Sequence, residues 1–155
     1  MMLYLRLLSA FVGIPVVLGA VYYGGPWYAS LLLLVANLGL FEYVSMLKKK
    51  GLNLSMMVAL PGVSLMMVII YLGHFNLIYP LIMVVFVFLF TGAIFQMERQ
   101  SIAEASLTMW GIIYIGGLCG YMLLLRQLPE GALFTFMFII GVWIHDSAAY
   151  FIGLR

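Results

Sequence analysis

Between Leu7 and Leu154 the apolar runs of this chain are broken at only five places: GGPW at 24–27, KKKG at 48–51, GHFN at 73–76, MERQSIAEAS at 97–106 and RQLPEG at 126–131. A helix needs about 20 apolar residues to cross the hydrocarbon of a bilayer, and the breaks divide the chain at that spacing. Six spans are predicted, at about 7–23, 26–47, 54–72, 77–96, 101–125 and 132–154. Only 8% of the residues are charged and 66% are hydrophobic, against roughly 25% charged in an average soluble domain. Five acids and seven bases cannot cover a water-facing surface, so lipid is the solvent for most side chains. The expected fold is an all-α integral membrane protein, a bundle of about six transmembrane helices forming a single transmembrane domain over 1–155.

Orientation follows from threading the six spans alternately through the bilayer. Arg6, Lys48, Lys49, Lys50, Arg99 and Arg155 fall on one side and Arg126 alone on the other. Basic residues mark the cytoplasmic side, so both termini are expected to be cytoplasmic in a multi-pass protein of the cell membrane. Tyr22, Tyr23, Trp27, Tyr28, Tyr71 and Tyr79 gather near the opposite boundaries, where amphipathic rings sit among headgroups. The start has a signal-peptide outline, with Arg6 before an apolar run. That run continues to Tyr23, which favours a retained first span. A net charge of +2 is too small to argue for nucleic acid, and Cys119, the single cysteine, excludes an internal disulfide.

Some residues speak to packing. Pro61 and Gly62 predict a kink in the third span, since proline removes a backbone donor. Gly116 and Gly120, with Gly111 and Gly117 nearby, form a small-xxx-small pattern that lets another helix approach closely. Ser101 and Glu104 have the spacing of a capping box that restarts a helix. Glu98, Arg99 and Glu104 read as a solvated elbow.

The residues that bear on chemistry are fewer. An ionisable group inside a membrane costs on the order of 2.5–3.5 kcal/mol at midspan, so each needs a reason. Asp146 is the sole aspartate and lies in the apolar stretch GVWIHDSAAYFIGLR. Val142, Asp146, Ala149, Tyr150 and Gly153 share one helical face, small and polar enough to line a helix junction or a wet cavity. Asp146 binds a cation or a ligand donor there, with Tyr150 on the same cavity, or it is a bundle-buried carboxyl bonded to a hydroxyl. His145 points about 100° away and is a secondary polar candidate, as is Glu42, which snorkels or pairs with a base. Lys48, Lys49 and Lys50 either attract anionic headgroups or a nucleotide, or serve as the topology signal itself. One aspartate cannot supply the spaced pairs of a two-metal site. No P-loop, HExxH or GxSxG occurs.

The stretch WIHDSAAYFIGLR resembles the Asp-x-x-Ala-Tyr-x-x-Gly segment of phosphatidate cytidylyltransferases, with Asp146, Ala149, Tyr150 and Gly153 in its positions. The N-terminal stretch, with its early Arg6, glycine-broken pair of spans and Glu42 followed by an aromatic residue, is similar to that family's start. The resemblance covers essentially the whole chain. It implies transfer of a cytidylyl group from CTP to phosphatidate, giving CDP-diacylglycerol and pyrophosphate in phospholipid biosynthesis. It also implies Mg2+, with Asp146 helping to build the cavity that receives metal or nucleotide. The family's Ser-Pro-Lys-Lys type segment and its C-terminal signature with His-Gly-Gly and Asp-Arg are absent. The chain is therefore expected to be the N-terminal portion of a longer family protein, inactive alone, acting as a homodimer or with the missing C-terminal half. Two other classes are open: a small membrane transporter or its substrate-binding subunit, and a lipid-embedded structural partner that uses the Gly116 and Gly120 face.

Overall fold

Without water in the hydrocarbon, each backbone N–H and C=O must be satisfied within the protein, and a helix achieves this inside one segment. The structure, a computed structural model, describes residues 2–95 and 101–153, and the side chains of 13–95, 101–150, 152 and 153. Those residues are helical almost throughout, with no strand among them. The helices are α1 (Met2–Tyr23), α2 (Gly25–Lys48), α3 (Met56–Tyr71), α4 (Ile78–Phe95), α5 (Ile102–Gly111), α6 (Gly117–Gln127) and α7 (Gly131–Gly153). A 3-10 turn, Phe75–Leu77, leads into α4, and a π turn, Ile112–Gly116, joins α5 to α6 in one continuous run. Apart from the earlier start of α1, the helix ends fall within about two residues of the breaks read from the sequence.

Among the described residues four runs are long and apolar enough to cross a membrane: Gly25–Lys48, Phe75–Phe95, Ile102–Gln127 and Gly131–Tyr150. With 16 residues, α3 rises about 24 Å and falls short of the roughly 30 Å hydrocarbon. Pro61 lies inside it, and the helix continues through the proline from Met56 to Tyr71. Of the bases used for orientation, Arg99 and Arg155 and the side chain of Arg6 lie outside the described residues, as does Glu98.

The chain divides into two compact units, Met1–Leu31 with Leu125–Arg155, and Leu32–Leu124. In the first unit α1 packs on α7. The end of α1 leaves carbonyls without helical partners, and Arg126 meets two of them: its Nε donates to the Val21 carbonyl at 2.9 Å and its Nη2 to that of Tyr22 at 3.3 Å. Gly24 makes room for this. Its φ is +64°, and a Cβ there would stand 2.6 Å from Arg126 Nη2. Arg126→Met is expected to cost about 2 kcal/mol of stability, as charge-assisted bonds of this kind do. Arg126→Lys should recover only part, because an ammonium lacks the planar fork. Thermal unfolding in detergent reads both, and a methionine variant as stable as wild type would show the bonds to be idle.

In the second unit α3 packs on α4, α5 and the π turn. Leu40, Val63, Met67, Leu89 and Ile112 are its fully buried large side chains. Glycines on one helix receive side chains from the other. A Cβ on Gly62 would meet Ile112 at 2.9 Å, and one on Gly116 would meet the Met66 sulfur at 3.1 Å. Gly120 faces Ile70 in the same way. The small-residue face therefore does seat a helix, but that helix is α3 of the same chain. A separate partner docking on Gly116 and Gly120 is excluded by this packing.

The π turn keeps that face in register. Glu104, Thr108, Ile112, Gly116 and Gly120 are all buried, a strict spacing of four. In an α-helix each such step drifts about 40°, enough to carry the stripe off α3 before Gly120. A π turn takes up an extra residue and brings the stripe back.

Candidate functional site

The sequence candidates fall into two sets, one in each unit. The first lies on α7. Near its start, buried Gly131 and Thr135 anchor the helix, and Thr135 Oγ1 donates to the Gly131 carbonyl at 2.7 Å. Toward its end the helix is uncovered: every residue from 140 to 150 is exposed. Asp146, His145 and Tyr150 are all in this stretch. Asp146 and Tyr150, four apart, share a face. Among the described residues neither Asp146 nor His145 has a hydrogen-bond or ion-pair partner, whereas Ser147 Oγ donates back to the Trp143 carbonyl at 2.8 Å. Asp146 is thus not bonded within the described bundle. An unpaired carboxyl on an apolar helix carries the insertion cost with no return from bonds among the described residues.

The second set lies at the end of α2. Glu42 is exposed and pairs with no base among the described residues. Lys48, Lys49 and Lys50 are exposed and occupy the stop of the helix. The Leu52 N–H returns to the Leu47 carbonyl at 3.1 Å and the Gly51 N–H to that of Lys48 at 3.0 Å, with Gly51 at φ +82°. That is the Schellman arrangement, in which glycine takes the left-handed position at no steric cost. Cations also complement the negative end of the helix.

The loop that follows is tied to α5. Glu104 forms the capping box predicted for it: the Ser101 N–H donates to Oε2 at 2.7 Å, and the Glu104 N–H donates to Ser101 Oγ at 3.2 Å. Its other oxygen, Oε1, accepts the Asn53 N–H. The Ser55 N–H donates to Thr108 Oγ1 at 3.4 Å, and Thr108 Oγ1 donates to the Glu104 carbonyl at 2.7 Å. Glu104 is only 8% exposed. The expectation of a solvated elbow is corrected for this residue: both carboxylate oxygens are spent on backbone donors, so the side chain turns inward.

Between the end of α2 and this loop lies a cavity of about 270 Å³. A larger apolar groove of about 790 Å³ runs between α3 and α4, with Ser55 and Thr91 among its lining. Among the described residues no group of three or more His, Cys, Asp or Glu comes together. Magnesium needs only one or two carboxylates beside substrate phosphates and waters, and Asp146 is a carboxylate of that kind.

Residues 4–155 match the family model described as the cytidylyltransferase family. The chain belongs to the cytidylyltransferase family. It is 26% identical over 181 aligned residues to a phosphatidate cytidylyltransferase of Synechocystis sp.. The alignment takes in 96% of this chain and 59% of that relative, so the chain spans less than two thirds of the length of the curated protein it matches. No solved structure matches it. The apolar helices fit a membrane setting. Nothing in the fold or the matches favours a transporter.

Proposed function

We propose that the chain serves the transfer of a cytidylyl group from CTP to phosphatidate at the cytoplasmic face of the membrane. On this reading all six helical runs cross the bilayer as a single transmembrane domain, the shorter α3 by local thinning of the hydrocarbon around it, with both termini cytoplasmic. The family match over 4–155 is the observation that carries it. The exposed Asp146, with no partner among the described residues, supports it, since a binding group must be free to bind.

In the reaction an oxygen of the lipid phosphate attacks the α-phosphorus of CTP, and the bond to the β-phosphate breaks to release pyrophosphate. Negative charge grows on the leaving phosphates, so catalysis depends on positioned positive groups. Asp146 and Tyr150 would line the polar cavity as hydrogen-bonding groups for nucleotide, with His145 and Glu42 as secondary groups. Lys48, Lys49 and Lys50 would raise the local concentration of anionic ligand. Mg2+, carried over from the family, would neutralise triphosphate charge when bound, and no step here is routed through it.

The test is an assay of the membrane protein bearing this chain, reconstituted with phosphatidate and supplied with CTP. Pyrophosphate release that needs both substrates, and is not supported by ATP, is expected. Release with neither specificity, or none alongside saturable uptake of a solute, would discard the proposal.

A further inference from the structure

We propose that the cavity beside Lys48 seats the phosphate group of an anionic phospholipid. Three residues whose side chains carry donors line it: Lys48, Ser45 and Asn53. Among the described residues none of the three side chains has a hydrogen-bond partner. The rest of the lining is apolar, from Phe41, Val44, Leu54 and Met56. Glu104, the nearest acid along this loop, is turned to the Asn53 and Ser101 backbone and is not part of the lining. One cation and two unpaired neutral polar groups, with no acid, therefore share a cavity with hydrocarbon, which is the chemistry of a phospholipid at the point where headgroup meets chain.

Size decides between ligands. Pockets for drug-sized molecules run about 300–1,000 Å³, so a cavity of about 270 Å³ suits a phosphate and its attached glycerol better than a nucleoside triphosphate. Preorganisation separates this site from a simple basic patch. Basic clusters beside a membrane helix that hold anionic lipid contain about 4–8 lysines or arginines, and three would bind weakly by attraction alone. Here the Schellman turn fixes the lysines, and Glu104 and Thr108 hold the loop that supplies Asn53. Of the three lysines, only Lys48 lines the cavity.

That asymmetry is the test. The purified chain is washed in detergent with phosphatidate, phosphatidylglycerol or phosphatidylcholine of matched acyl chains, and retained lipid is counted by native mass spectrometry. No CTP is present, so the result is independent of nucleotidyl transfer. Both anionic lipids should be retained about tenfold over phosphatidylcholine, and Lys48→Gln should lower that retention about fivefold, the scale of one interfacial charge. Lys49→Gln and Lys50→Gln should each lower it less than about twofold. Ser45→Trp, which fills the cavity, should remove it. Lys48 is exposed and unbonded, so its variant reports binding and not folding. Equal effects from the three lysines would reduce the site to general attraction and overturn the proposal, as would unchanged retention in Ser45→Trp. Inorganic phosphate competing as well as lipid would assign the cavity to free phosphate and overturn the lipid assignment.

Discussion

Glu104→Ala is expected to lower stability by about 3 kcal/mol, because two backbone donors lose a charged acceptor and each such bond contributes about 1.5–3 kcal/mol. The estimate sits at the lower end of that sum because Asn53 and Ser101 are exposed, and water can reach the donors once the carboxylate is gone. The same substitution should release the loop between α2 and α3. Trypsin would then cut after Lys48, Lys49 or Lys50 about tenfold faster, following the larger open population. Glu104→Gln should show roughly half the loss, since its amide keeps one acceptor oxygen and presents a donor to the other N–H. Ser101→Ala, which removes only the cap, should cost about 1 kcal/mol. Cleavage of Glu104→Ala at the wild-type rate would show that the loop is held by something else.

The latch also connects two parts of the second unit. Glu104 starts α5, the helix that continues through the π turn to meet α3, and it fixes Asn53 beside Lys48. The carboxylate that caps a helix thereby holds a wall of the proposed phospholipid cavity. Loss of anionic-lipid retention in Glu104→Ala, beyond what its loss of folded protein explains, follows from that geometry.

Local chemistry made the helix ends legible. Gly51 after three lysines, Gly24 before Pro26, and Ser101 three residues before Glu104 each act within a turn, so the sequence carries the whole signal. The burial of Glu104 was not legible in the same way. A capping box reports on neighbours three apart, whereas the bond from Asn53 spans 51 residues and exists only once α3 and α5 have packed. The π turn was hidden for a related reason: a spacing of four from Glu104 to Gly120 reads as a helical face that drifts, and only the glycine contacts with α3 show it corrected. Arg126 read as a stray base on the wrong side, because its partners, the carbonyls of Val21 and Tyr22, are backbone groups with no sequence signature. Asp146 was legible as an acid on an apolar helix. Its lack of a partner was not, since a bonded and an unbonded carboxyl look alike in sequence.

Asp146→Asn should separate function from folding. Since Asp146 makes no bond among the described residues and lies on an exposed stretch, asparagine leaves no described donor stranded. Thermal stability should stay within about 0.5 kcal/mol of wild type, as for other surface substitutions. Removal of a carboxylate from an apolar helix would, if anything, ease insertion. Nucleotidyl transfer, in contrast, should fall at least about 100-fold, the scale on which loss of one preorganised polar group at a reacting centre is felt. His145→Gln, about 100° around the helix, should fall less than about fivefold. A parallel loss of activity and stability in Asp146→Asn would make the carboxyl a structural group whose bonds lie beyond the described residues. Full activity in a stable Asp146→Asn protein would remove Asp146 from the site and leave Tyr150 and His145 as the candidates on α7.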